Sequence, residues 1–199
     1  MSILDTLKNK AISLIKKETR KALNNAVSNI GKGKNHTEKF TFTSLPASLA
    51  ELKELPEAKL DTAFKTAALV ILAINCYVKD EAAGIEMLAW LKGPEEFNNR
   101  EKDFIKERMT GKEYKARSFF EGAKPENDYT PNKPYVLSVI ENPYSFDNEN
   151  WATLYVSSGG SDNDRPIKLR KKPSTGEWFL NEIQCLGDIR LPKSEDKWA

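Results

Sequence analysis

Six side chains in the second half of the chain have the types that hold a small ligand: Tyr144, Trp151, Tyr155, Arg170, Trp178 and Glu182. Aromatic rings supply flat apolar contact and a few charged groups fix orientation, which is the usual make-up of a small-molecule site. Aromatics in strands are also core-formers, so a ligand-binding or enzymatic pocket between sheet and helices is the alternative reading rather than the leading one. Groups for bond-making are scarcer. The one histidine, His36, follows Gly31-Lys-Gly-Lys-Asn35, a stretch read as a flexible hinge in which no general base would be preorganised. No residue is assigned a catalytic role.

Metal and cofactor signals are equally thin. Cys76 and Cys185 stand far apart without C-x-x-C or Cys/His spacing, and they read as buried thiols. Asp147-Asn-Glu149 and Asp162-Asn-Asp164 place carboxylates as a hard cation wants them, but lack the central glycine and closing glutamate of an EF-hand loop. They read as solvated turns. Gly159-Gly160 lies between predicted strands instead of before a helix, and no G-x-x-x-x-G-K-[ST] string is present to cradle phosphates. These motifs imply no metal and no cofactor.

Charge divides the chain more sharply than any motif. Residues 1–34 hold eight Lys/Arg against Asp5 and Glu18, a net +6 that leaves −4 for the rest of a chain whose total is +2. Over residues 2–30, apolar side chains including Leu4, Leu7, Leu14 and Ile15 recur at helical spacing, with Lys8, Lys16, Lys17 and Arg20 opposite. That pattern predicts an amphipathic basic helical arm over 1–31, hinged at 32–37 to a body over 38–199. Such a stripe is suited to a protein partner or a second copy of the chain. A membrane surface is possible too, although the arm lacks the Trp or Phe that would anchor it in the interface. Lys168-Leu-Arg-Lys-Lys172 is the densest basic cluster of the body, yet the body is net acidic, and nucleic acid is not an expected partner.

The elements that must position these residues follow from periodicity. Phe40-Thr-Phe-Thr alternates like a short strand, Leu49, Leu52 and Leu55 mark a helical turn, and Leu60 to Val78 is apolar on nearly every face, which predicts a central core helix. Asp80 is placed to cap a second helix stopped by Gly93-Pro94, and a third runs from about Asn98 to Met109. From Tyr135 the period changes to two. Segments 135–140, 151–156, 166–170 and 177–180 alternate and are separated by turn residues, which predicts an antiparallel meander. The expected fold class is α+β: a helical half packed on a four-stranded antiparallel meander, with the N-terminal arm appended. The amino terminus has charges where an export signal needs an apolar run, and the longest apolar stretch, Ala67 to Ile74, is too short for a membrane span, so a cytoplasmic location is expected.

Several strings resemble an uncharacterised domain family of bacterial, largely clostridial, proteins. They are Gly33-Lys-Asn-His-Thr-Glu-Lys-Phe-Thr-Phe, Leu60-Asp-Thr-Ala-Phe-Lys-Thr-Ala-Ala, Asn142-Pro-Tyr-Ser-Phe, Arg165-Pro-Ile-Lys-Leu-Arg and Ile189-Arg-Leu-Pro-Lys-Ser-Glu-Asp-Lys-Trp-Ala. That resemblance implies no activity, cofactor or catalytic residue. In architecture, helices followed by an antiparallel sheet whose late hairpin carries Gly176-Glu-Trp178 are similar to the nuclear-transport-factor-2-like fold, which implies a cone that often encloses a pocket. The fold hosts both enzymes and binding modules.

Overall fold

A computed structural model describes residues 35–198. The predicted arm over 1–31 and the hinge residues 32–34 lie outside the described residues. At the other end of the predicted hinge, Thr37 already belongs to a strand. The His36 carbonyl accepts a hydrogen bond from the Glu141 amide at 2.9 Å, and its ring meets Phe64 edge-on with centroids 5.3 Å apart. His36 is thus fixed by the sheet, contrary to its reading as part of a flexible linker.

Strand β1 (Thr37–Phe42) is followed by helices α1 (Leu49–Glu54), α2 (Ala63–Tyr77), α3 (Glu81–Lys92), α4 (Asn99–Met109) and the one-turn α5 (Tyr114–Arg117). Strands β2 (Tyr135–Ile140), β3 (Trp151–Val156), β4 (Arg165–Lys171) and β5 (Trp178–Ile183) complete the chain. The sheet has order β1-β2-β3-β4-β5 and is antiparallel throughout. It has five strands where the meander alone has four. The extra one is β1, whose Phe40 pairs with Leu137 across the whole helical half. Alternation marks Phe40-Thr-Phe-Thr as a strand but carries no information about so distant a partner.

Helix α2 forms the centre. Thr62 caps it by accepting from the Lys65 amide at 3.2 Å, and every one of its residues except Lys65 is buried. One side of α2 meets the inner face of the sheet and another meets α3, which is why its sequence is apolar nearly all round. From the sheet, Leu137, Val139, Leu154, Val156, Ile167 and Leu169 join the same core. Asp80 caps α3 through the Ala83 amide at 3.0 Å, and Gly93 ends it at φ 65°. Asn98 and Glu101 form a reciprocal capping box at the start of α4.

Strands β2 and β3 pair only at Val139↔Val156 and Ile140↔Tyr155. Below that point the loop after β2 fills the gap, with the Thr153 amide donating to the Ser145 carbonyl at 2.9 Å. The outer edge of β5 is covered by the helices. Trp178 donates to the Leu60 carbonyl at 2.8 Å, the Thr66 hydroxyl donates to the Trp178 carbonyl at 2.9 Å, and the Lys92 ammonium donates to the Asn181 carbonyl at 2.7 Å. A register shift between Lys168 and Leu169 re-aims the strand beside this last contact.

Candidate functional site

Alternation places Trp151 and Arg170 on the outer face of the sheet, directly across from one another in the β3–β4 register. The Arg170 guanidinium lies over the Trp151 indole, 5.0 Å from its centroid, and its Nη1 bonds Glu95 at 3.0 Å. Glu95 belongs to the turn that leaves α3. Phe179, the β5 partner of Arg170, packs against Gly93, where any Cβ would strike its ring. Together these groups frame an open cleft of about 360 Å³ whose wall also includes Asn150, Lys172 and Asn181.

The cleft has a charged floor. Lys92 is buried, with its side chain 7% exposed, and its ammonium donates to Asn181 and meets Glu101 at 2.7 Å, with Glu95 at 3.9 Å. A lysine ammonium has three donors, and the two short contacts use two of them. Trp151 and Arg170, expected in a pocket between sheet and helices, lie on the outer face instead, and the sequence did not single out Lys92, Glu95 and Phe179. The available signal was the Gly93-Pro94 stop, which brings both flanking charges to one helix end. Burial of a lysine there depends on β5, far along the chain.

The other predicted ligand residues do not converge on this cleft. Trp178 sits at the end of the opposite face, edge-on to Phe146 at 5.9 Å and beneath the Lys171 ammonium at 5.8 Å. Glu182 pairs with Lys168 at 3.0 Å and lines a separate cleft of about 510 Å³ beside α4. Hydrogen bonds from Gln184 and Lys168 hold its carboxyl below the usual range. Tyr155 lies on the outer face of β3, and Tyr144 projects into solvent from the loop after β2. The interface between α2 and the sheet is filled by side chains, so the six residues are spread over several surfaces instead of lining one pocket between sheet and helices.

The strongest pKa shifts belong to structural stitching. Lys115 is buried and donates to the carbonyls of Arg108 and Leu186 and to the Asp188 carboxylate at 2.7 Å. Hydrogen bonds from Lys112 and Lys115 hold the Asp188 carboxyl far below its ordinary value, while burial pushes the Lys115 ammonium down against the pull of Asp188. Tyr129, fully buried, donates to the Arg190 carbonyl at 2.6 Å and stacks on Tyr114, and burial pushes its phenol up to about 12. Burial likewise pushes the Cys185 thiol up to about 12, and Cys76 is also a buried free thiol. Gly159-Gly160 serves packing: a Cβ at Gly159 would overlap the Ala123 carbonyl oxygen, and one at Gly160 would overlap the Tyr129 hydroxyl. Of the acidic turns, Asp162 pairs with Arg190 at 3.0 Å and Asp164 accepts from Ser157 at 2.7 Å. Among the described residues no group of three or more His, Cys, Asp or Glu side chains is arranged to hold a metal ion, and no helix is long and apolar enough to cross a membrane.

A model of the domain-of-unknown-function family DUF6935 matches residues 44–193, three quarters of the chain, and the chain belongs to that family. The match begins just after β1 and runs to the segment that closes over Tyr129. No curated protein and no solved structure matches.

Proposed function

We propose, with membership of that family as the premise, that this is a bacterial cytoplasmic interaction protein without enzymatic activity, and that its N-terminal basic helix binds a protein partner or a second copy of the chain. The observation that carries this reading is the charge division, +6 over residues 1–34 against −4 over the remainder. A stripe of Leu4, Leu7, Leu14 and Ile15 flanked by lysines gains by covering its apolar side, and opposite charge on the covering surface steers the encounter. A protein surface suits this stripe better than lipid, because no aromatic residue occurs before His36 to anchor the helix at a headgroup boundary.

In the body, the ionisable groups with the largest shifts tie loops together, as Lys115, Asp188 and Tyr129 do, and they do not meet in an open cleft. A chain lacking residues 1–34 keeps all of β1 and the core around α2, and it is expected to fold. It should lose self-association in light-scattering chromatography or lose the partners captured by the full chain. An unchanged oligomeric state together with unchanged partners refutes the reading. Full-chain binding to anionic vesicles that disappears with the truncation would replace the protein contact by a membrane one.

A further inference from the structure

We propose that the body carries a saccharide-binding site of its own, the outer-face cleft around Trp151, which takes an uncharged sugar ring. The ring at its centre is rigidly held. Trp151 is 38% exposed, yet its indole is held by the Arg170 guanidinium, and that in turn is held by Glu95. The frame consists of strands β3, β4 and β5 with the Gly93 turn locked on Phe179, so the exposed part of the ring is presented from a fixed position. A volume of about 360 Å³ is at the lower end of small-ligand sites, roughly 300–1,000 Å³, and suits one or two rings.

Charge then selects the class. Arg170 is paired with Glu95 and Lys92 with Glu101, and the Lys171 ammonium lies over Trp178 on the opposite face of the sheet, which leaves Lys172 and Glu149 as the charged lining residues with neither an ion pair nor a ring contact among the described residues. Those two cancel. A phosphate or carboxylate would therefore find no net positive charge to repay its desolvation, whereas a neutral ligand needs none.

Hydrogen-bonding capacity narrows it further. The side-chain amides of Asn150 and Asn181, the Trp151 N–H, the Lys172 ammonium and the Glu149 carboxylate have no hydrogen-bond partner among the described residues. They mix donors and acceptors around one flat ring. A sugar hydroxyl both donates and accepts, and the C–H face of a pyranose is a flat apolar surface for the indole, so a saccharide uses every feature of the cleft at once. The open end of the cleft admits a continuing chain.

The test is intrinsic fluorescence and calorimetric titration of the full chain with maltose, cellobiose and N-acetylglucosamine, with adenosine and adenosine monophosphate as the competing chemistries. One of the saccharides should bind, and Trp151→Ala should weaken it at least about tenfold, equivalent to 1.4 kcal/mol. Trp198→Ala, at a tryptophan 97% exposed and outside the cleft, should change nothing. Circular dichroism should show both variants folded, since the Trp151 ring lies on the outer face of the sheet and Trp198 is in solvent. Three results overturn the proposal: no response to any saccharide at about 10 mM, where even a millimolar site is mostly filled; equal affinity in Trp151→Ala; or adenosine monophosphate binding more tightly than every sugar.

Discussion

Replacing Asp188 by alanine isolates the cost of stranding a buried ammonium. In the folded protein the Lys115 side chain is 2% exposed and bonds Asp188 at 2.7 Å, the Arg108 carbonyl at 3.0 Å and the Leu186 carbonyl at 3.3 Å. Breaking a fully buried ion pair costs about 3–5 kcal/mol. Here the carboxylate is 63% exposed and shared with Lys112, and two carbonyls stay in place, so screening and the remaining partners reduce the loss. A hydrogen bond to a charged group contributes about 1.5–3 kcal/mol, and the expected destabilisation is about 2 kcal/mol at neutral pH. Urea unfolding reads it directly: with a slope of roughly 1–3 kcal/mol per molar, the midpoint falls by about 1 M.

The sign of its pH dependence is fixed by the same geometry. Asp188 has a depressed folded pKa, so its contribution is present above the ordinary carboxylate value of 3.8 and is lost as pH falls through the folded value. Lys115 has a folded pKa below its ordinary 10.5, chiefly through burial, and without Asp188 that burial acts with less opposition. A neutral amine needs no carboxylate. The gap between the two proteins should therefore narrow as pH rises from 7 through the folded pKa of Lys115. A loss below about 0.5 kcal/mol, or a gap that stays constant to alkaline pH, refutes the idea that the carboxylate compensates a buried charge.

Gly159→Ala should destabilise by about 3 kcal/mol or more, because the new Cβ overlaps the backbone carbonyl of Ala123 and no side chain can move aside; thermal unfolding monitors it. Tyr129→Phe removes the hydroxyl that donates to Arg190 and should cost about 1–2 kcal/mol in denaturant unfolding. Because the folded Tyr129 phenol is raised to about 12, its contribution is complete below the ordinary value of 10 and is lost as pH rises above it; burial raises Tyr77 and Tyr114 as well, and the latest component of the phenolate absorbance should be missing in the variant.

Where local rules decide, the sequence was legible. The core helix, the cap at Asp80, the start of α4 near Asn98, the Gly93 stop and the alternating strands β2 to β5 all rest on neighbours within a few residues. What was not legible depends on contacts between distant segments. The pairing of β1 with β2, the fixing of His36 by Glu141 and Phe64, and the burial of Lys92 and Lys115 each need a partner from another part of the chain. The candidate site shows the same division. Residue type singled out Trp151 and Arg170, but it could not reveal that they meet on the outer face of the sheet, that Trp178 ends on the other face or that Glu182 is occupied by Lys168.

Residues with the look of chemistry and residues available for chemistry are different sets in this protein, and hydrogen-bond accounting separates them. Ser118 and Ser158 bond each other at 2.8 Å, Ser118 donates onward to the Lys115 carbonyl, and the Gly159 amide donates to the Ser118 carbonyl. Arg190 donates its amide to Gly160 while its carbonyl takes the Tyr129 hydroxyl, so the last segment of the family match is laced over the turn between β3 and β4. Each of these polar groups is consumed in holding two loops together, and a consumed donor is not free to bind a ligand without first being released at a cost of about 1–3 kcal/mol. Around Trp151 the balance is reversed: the ion pairs are closed, but amides, an indole N–H and a flat ring remain open to solvent. Binding there requires no internal bond to break, so a ligand is accommodated at the outer face of the sheet at less cost than at any of the buried clusters.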